Sequence, residues 1–140
     1  MDYPLGQHLR ELPGPLLLTG HTGFKGTWLM CILNALEIEY VGFSLPAEKD
    51  SLYERGKFQG KQPETIGDIR DLSGLKLAIQ KFNPSAVLHL AAQPLVLKSY
   101  ENPLMTFETN VTGTANVLNL AWLTENIEAV GVITTDKVYK

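Results

Sequence analysis

Short apolar runs alternate with longer mixed segments along the chain. The first run, Pro15–Thr19, ends at a glycine turn and reads as a short strand. Past the turn, Trp28, Leu29, Ile32, Leu33 and Leu36 recur at helical spacing and predict a helix over Phe24–Leu36. Tyr40–Leu45, closed by Pro46, predicts a second strand. Ser51 and Glu54 have the spacing of a capping box for a short helix. The polar stretch Gly56–Pro63 reads as loop and Glu64–Gly67 as a third strand. Asp71 can cap a helix that runs to Phe82 and stops at Asn83-Pro84. Ala86–Ala91 is apolar except for His89, as a strand buried in a parallel sheet reads. Asn102-Pro103 starts a helix predicted to reach Leu123, with Leu104, Phe107, Val111, Leu118 and Trp122 along its apolar side. Ala129–Thr134 is the last predicted strand.

Strands that alternate with helices make βαβ units and a parallel sheet. Right-handed crossovers give a doubly wound, Rossmann-type α/β sheet of five strands in the order 3-2-1-4-5. Residues 1–14, with Pro4, Gly6, Pro13 and Gly14, read as a loose lead-in. Residues 15–140 read as one dinucleotide-binding domain that is incomplete at its C-terminus.

The turn Thr19–Gly26, TGHTGFKG, carries the most chemistry. Gly20, Gly23 and Gly26 follow a strand and open a helix. The first glycine permits the tight turn, the second lets pyrophosphate approach the backbone, and the third lets helix and strand pack closely. Unpaired N–H groups at the helix start suit phosphate. The cofactor-side candidates here are Gly20, Thr22, Gly23, Phe24, Lys25 and Gly26. No Gly-Lys-Ser/Thr follows, which excludes a P-loop. NAD sites often place an acid about 20 residues beyond the glycines, on the ribose. Here the second strand ends in Ser44, which can contact the ribose, and Glu48 lies further off. Lys25 can pair with a phosphate, including the 2′-phosphate of NADP, or simply be solvated. These residues leave the choice between NAD and NADP open.

Composition narrows the partners. Apolar residues are 44% and charged residues 19% of 140, enough for a core. A net charge of −3 argues against nucleic acid. One cysteine rules out an internal disulfide framework and fits a reducing compartment, so a cytoplasmic location is expected. No membrane span, signal peptide or metal site is expected from the residues.

Four further segments join the turn: GDIRD at Gly67–Asp71, HLAAQPLV at His89–Val96, NVTGT at Asn110–Thr114 and TTDKVY at Thr134–Tyr139. With it, they resemble the extended short-chain dehydrogenase/reductase family. Within that family the nucleotide-sugar 4,6-dehydratases, those acting on CDP-glucose above all, are most similar. The resemblance implies that Asp68 and Ile69 flank the adenine and that Ala91, Ala92 and Gln93 line the path of ribose and phosphates. Asn110, in a helix whose neighbours are read as facing the core, would support the active-site tyrosine and lysine; a purely local hydrogen bond is the alternative. His89 reads as a structural strand residue. Thr135 would bond near the sugar 4-hydroxyl, Asp136 would be the general acid on the departing 6-hydroxyl, and Lys137 would act in proton removal at C5. The implied reaction oxidises C4 with NAD⁺, loses water across C5 and C6 and returns the hydride to C6, giving CDP-4-dehydro-6-deoxy-glucose. A homodimer through the 103–123 helix is implied too.

That chemistry also needs a Tyr-x-x-x-Lys pair. Tyr3, Tyr40, Tyr53, Tyr100 and Tyr139 all lack Lys four residues later. The chain is therefore expected to be the N-terminal piece of a longer enzyme. Other sugar-nucleotide epimerases of this fold, and a non-catalytic nucleotide-binding module, are the alternatives. The purified chain is expected to be inactive on CDP-glucose; release of a 4-keto sugar, followed by chromatography, contradicts this.

Overall fold

The computed structural model describes residues 9–135. Five parallel strands form one sheet: β1 (Leu16–Thr19), β2 (Tyr40–Ser44), β3 (Glu64–Ile66), β4 (Ala86–His89) and β5 (Ala129–Val132). Their order is β3-β2-β1-β4-β5, the order expected from right-handed crossovers. Leu16 pairs with both Tyr40 and Ala86, and Thr19 with both Phe43 and His89, so the carboxyl ends of the three central strands are level.

Alternation along these strands divides the core in two. Leu17, Val41, Phe43 and Val87 face one side and pack with Leu75, Ala78, Val117 and Leu120. Leu16, Leu18, Tyr40 and Ala86 face the other and pack with Met30, Leu33 and Tyr53. The helices follow from this: α1 (Phe24–Ala35) and α2 (Leu52–Arg55) cover the second face, and α3 (Leu72–Phe82) the first.

Local signals set the helix ends. Ser51 caps α2 through the Glu54 N–H, but the Glu54 carboxylate accepts from Asp50 N–H, one residue before the cap. Asp71 caps α3 by accepting from Ser73 and Gly74, and Asn83 ends it in the left-handed region. Residues 9–14, the described part of the lead-in, are held on the domain. Leu9 and Leu12 pack on the core, and the Ser85 hydroxyl bonds both Gly14 N–H and Gly14 C=O.

Two regions differ from the reading by pattern. A helix α4 (Val96–Glu101) fills a stretch with no predicted element. The long helix predicted from Asn102-Pro103 is three consecutive segments: α5 (Pro103–Phe107), a π-helical stretch (Glu108–Gly113) and α6 (Thr114–Trp122). Leu104, Phe107, Val111, Leu118 and Trp122 are all exposed. The sheet side belongs to Gly113, Val117, Leu120 and Ala121. A Cβ at Gly113 would meet Ile69 Cδ1 at 2.6 Å, so contact at this point requires a residue without a side chain. On α1 the same inversion holds for Trp28 and Ile32, which are exposed, while Gly26, Thr27, Met30 and Leu33 are buried. Apolar residues surround α1, so spacing alone does not select its inner face.

The buried-face assignment predicts that Leu120→Ala costs about 2–5 kcal/mol of stability in urea unfolding. Leu104→Ala should stay within about 0.5 kcal/mol.

Candidate functional site

The glycine turn sits where β1 gives way to α1, between the ends of β2 and β4. Gly20 has φ +74°, and a Cβ there would fall 2.7 Å from Ala91 N. Both facts demand glycine. Gly26 is as constrained, since its Cβ would overlap the Gly20 carbonyl. Gly23 is different. It is exposed, its φ is −74°, and a Cβ would meet only the Gly20 carbonyl, at 3.3 Å. It caps α1 without a side-chain hydrogen bond, whereas Ser51, Asp71 and Asn102 cap α2, α3 and α5. The N–H groups of the first turn of α1 therefore face outward beside a backbone with no side chain over it.

Neighbouring strand ends complete one edge. Thr22 donates its hydroxyl hydrogen to Leu45 C=O at 2.9 Å, so Ser44 is the donor in the 2.8 Å bond between their hydroxyls. The expected ribose contact, Ser44, is thus buried and its hydrogen committed. Gly67 N–H bonds Ser44 C=O, which brings Asp68 beside that strand end. Asp68 accepts from Arg70 N–H, and its carboxylate pairs with the guanidinium at 2.6 Å. The Arg70 hydrogen bonds hold the Asp68 carboxyl below its ordinary value. Ile69 turns into the core. Lys25 and Phe24 are exposed at the start of α1, and Lys25 makes no ion pair among the described residues.

On the other side of β1, Thr19 Oγ accepts from Leu90 and Ala91 N–H and lies 2.6 Å from His89 Nδ1. Two N–H donors fill its lone pairs, so its hydrogen goes to Nδ1. His89 then donates from Nε2 to Thr114 Oγ, 3.0 Å away in α6. Burial lowers the His89 pKa, in keeping with a neutral, structural ring. Beyond it, Asn110 grips the backbone of Gln93 in both directions. Gln93 N–H donates to Asn110 Oδ1 at 2.7 Å, and Asn110 Nδ2 donates to Gln93 C=O at 3.0 Å. The π-helical stretch carries Asn110, itself exposed, to this loop. Ala91 is half-buried, Ala92 exposed, and Gln93 also donates to Thr106. Thr135 follows β5 at the same edge and is exposed; Asp136 and Lys137 lie outside the described residues.

The structure thus brings Gly20, Gly23, Ser44, Asp68, Ala91, Gln93 and Thr135 to the carboxyl edge of the sheet, flanking the switch point at β1. That is where open α/β sheets take ligands. Pattern reading overlooked a second cluster under the turn. His21 Nε2 lies 2.8 Å from Glu64 Oε2, which also accepts from Tyr53 OH at 2.7 Å. The signal was a lone His inside a glycine motif, with an acid opening β3.

With this geometry in place, the sequence profile of the GDP-mannose 4,6 dehydratase family matches residues 17–139. The chain belongs to this family. The CDP-glucose 4,6-dehydratase of Salmonella typhimurium (strain LT2) is 44% identical over 125 residues, 89% of this chain and 35% of that protein. The UDP-glucose 4-epimerase of Thermus thermophilus, solved as a complex with NAD, superposes with TM-score 0.72 at 28% identity. That superposition covers 83% of this chain and 36% of the epimerase. MoeE5, solved in complex with UDP-glucose and NAD, gives 0.73 at 27% identity over 91% of this chain and 38% of its own. The chain spans about a third of the length of these relatives. As a member of the dehydratase family it carries the family's turn and sheet. No helix among its described residues is long and apolar enough to cross a membrane.

Three groups make stability fall in acid: Glu64, His89 and Asp68, the last through its bonds from Arg70. Burial works against the Glu64 carboxylate, but hydrogen bonds from Tyr53, His21 and Gly60 N–H outweigh it and hold the pKa below 4.5. That stabilisation is present above 4.5, the unfolded value, and is lost as pH falls through the lower folded value. His89 is also depressed, so unfolding takes up a proton that the native ring refuses once pH drops below 6.5. Urea titrations from pH 7 to pH 3, both set by these windows, should show two successive losses. Glu64→Gln should shrink the lower one, leaving the part due to Asp68, and leave the upper one; an unchanged profile contradicts the assignment.

Proposed function

We propose that the chain is the NAD-binding part of a nucleotide-sugar 4,6-dehydratase whose substrate is CDP-glucose. The observation that carries the cofactor reading is Gly23. Gly20 and Gly26 are glycine because the fold requires it; Gly23 is exposed and at an ordinary φ, and a Cβ there would meet only the Gly20 carbonyl. Its missing side chain leaves room outside the protein, over the start of α1, for a pyrophosphate. The residues present fit NAD. Gly20–Gly26 would hold the phosphates, with Lys25 at hand. Ser44, through its lone pairs, would meet the ribose, and Asp68 and the Ile69 backbone would flank the adenine. Ala91, Ala92 and Gln93 would border the second ribose, their backbone fixed by Asn110. A bound nicotinamide would supply the hydride acceptor for oxidation at C4. No carboxylate follows Ser44 directly, so NADP is a weaker fit only for want of a second cation beside Lys25.

The dehydratase reading rests on the 44% identity to the Salmonella enzyme and on the segment Thr134–Lys137. There Thr135 would orient the sugar, Asp136 would protonate the departing 6-hydroxyl, and Lys137 would take the C5 proton. An acid and a base on adjacent residues suit loss of water across adjacent carbons. The exposed apolar residues Leu104, Phe107, Val111, Leu118 and Trp122 support a homodimer through the 103–122 segments. Residues 15–140 form the dinucleotide domain in this reading, with 1–14 as its lead-in, in a cytoplasmic enzyme.

Gly23→Asp separates fold from function. Aspartate is a favoured N-cap, so the variant should unfold at the same temperature or higher. Its charge sits where the phosphates belong, so NAD affinity by calorimetry should fall by about tenfold or more, over 1.4 kcal/mol. Undiminished binding refutes the site.

A further inference from the structure

The cluster beneath the turn has no part in contacting the proposed ligand, yet it ties together the two elements that would. His21 is 1% exposed and points away from the site, back under the sheet end. Its ring lies over Gly42, where a Cβ would come within 2.6 Å of Cε1. Gly42 pairs with Leu18 on one side and Glu64 on the other. Parallel partners share a face, so the missing side chain at Gly42 leaves a slot between Leu18 and Glu64. The imidazole fills that slot. The Glu64 carboxylate accepts from Tyr53 OH and from Gly60 N–H, 3.1 Å from its other oxygen, so His21 is its third donor through Nε2. Tyr53 also packs edge-on against the imidazole, centroids 5.7 Å apart.

An apolar ring would fill the slot equally well. Histidine costs more, because its Nδ1 is buried with no hydrogen-bond partner among the described residues. What histidine adds is the Nε2–H bond to Glu64. That bond joins the residue after Gly20 to the first residue of β3, an edge strand of three residues that among the described residues pairs only with β2. The same strand leads, through Gly67, to Asp68. Apart from the tether, β2 is the strand that joins the two ends of the proposed dinucleotide site, while Asn116 of α6 holds the segment after β3 by donating to Ile69 and Arg70 C=O.

We propose that His21 and Glu64 are positioning residues: their bond fixes the phosphate turn in register with the end of β3, so that one rigid edge meets both halves of the dinucleotide. This rests on the NAD reading for its purpose but not for its test. Glu64→Gln keeps the volume and weakens all three bonds; Tyr53→Phe removes one hydroxyl and serves if the first variant does not fold. In the unliganded chain, both should speed amide hydrogen exchange at residues 20–26 and 64–68, by about three- to tenfold, while β4 keeps its protection. NAD affinity measured well below the unfolding midpoint should fall by about the same factor. A lowered midpoint with unchanged exchange at the turn and unchanged affinity overturns the proposal, since simple packing would give that result. If the unaltered chain binds no NAD, the cofactor reading fails, and the exchange data still decide whether the tether exists.

Discussion

Close backbone contact at Gly20 is the constraint on which the rest depends. The turn must reverse direction within the space between β1 and the start of the loop after β4. It does so with a left-handed residue whose Cβ would collide with Ala91 and with a helix whose third residue touches the Gly20 carbonyl. Once those contacts are made, α1 can leave only at one angle, and its first N–H groups point over the sheet edge. Thr19 reinforces the arrangement from below by accepting from Leu90 and Ala91. The turn is therefore held on both flanks by β4 and β2, with Gly20 N–H bonded to Phe43 C=O.

Much of this was legible in the sequence because it is local. Glycine spacing, caps at Ser51, Asp71 and Asn102, and β-strand composition each act within a few residues, and the sheet order then follows from crossover handedness. What was not legible depends on long-range packing. Leu104, Phe107, Val111, Leu118 and Trp122 have helical spacing in the sequence, but the pattern does not say which side meets the sheet, and all five are exposed. Small size decides it: Gly113 and Ala121 let the helix approach Ile69 and the sheet. Nor does any residue pattern mark the π-helical stretch that takes Asn110 to Gln93.

The candidate site shows the same division. The structural roles of Gly20 and Gly26 are readable from their spacing, whereas Gly23 gains meaning from its exposure and ordinary φ. Asp68 follows β3 at the carboxyl edge, and its pairing with Arg70 and the commitment of the Ser44 hydrogen to Thr22 are visible only in side-chain positions. Functional edges of this kind combine strained, over-determined backbone with a few groups left unused by the fold. The unused groups, Gly23 and Lys25, are the ones that point to a ligand.

A nitrogen–proton correlation spectrum of the labelled chain, titrated with NAD, tests the central claim most directly. The account predicts shifts concentrated at 20–26, 44–45, 67–69 and 91–93. Opposite them, at the amino ends of the strands, lies a recess of about 260 Å³ lined by residues that include Arg10, Glu37 and Glu39. Shifts centred on that recess, or none at the turn, would contradict the account.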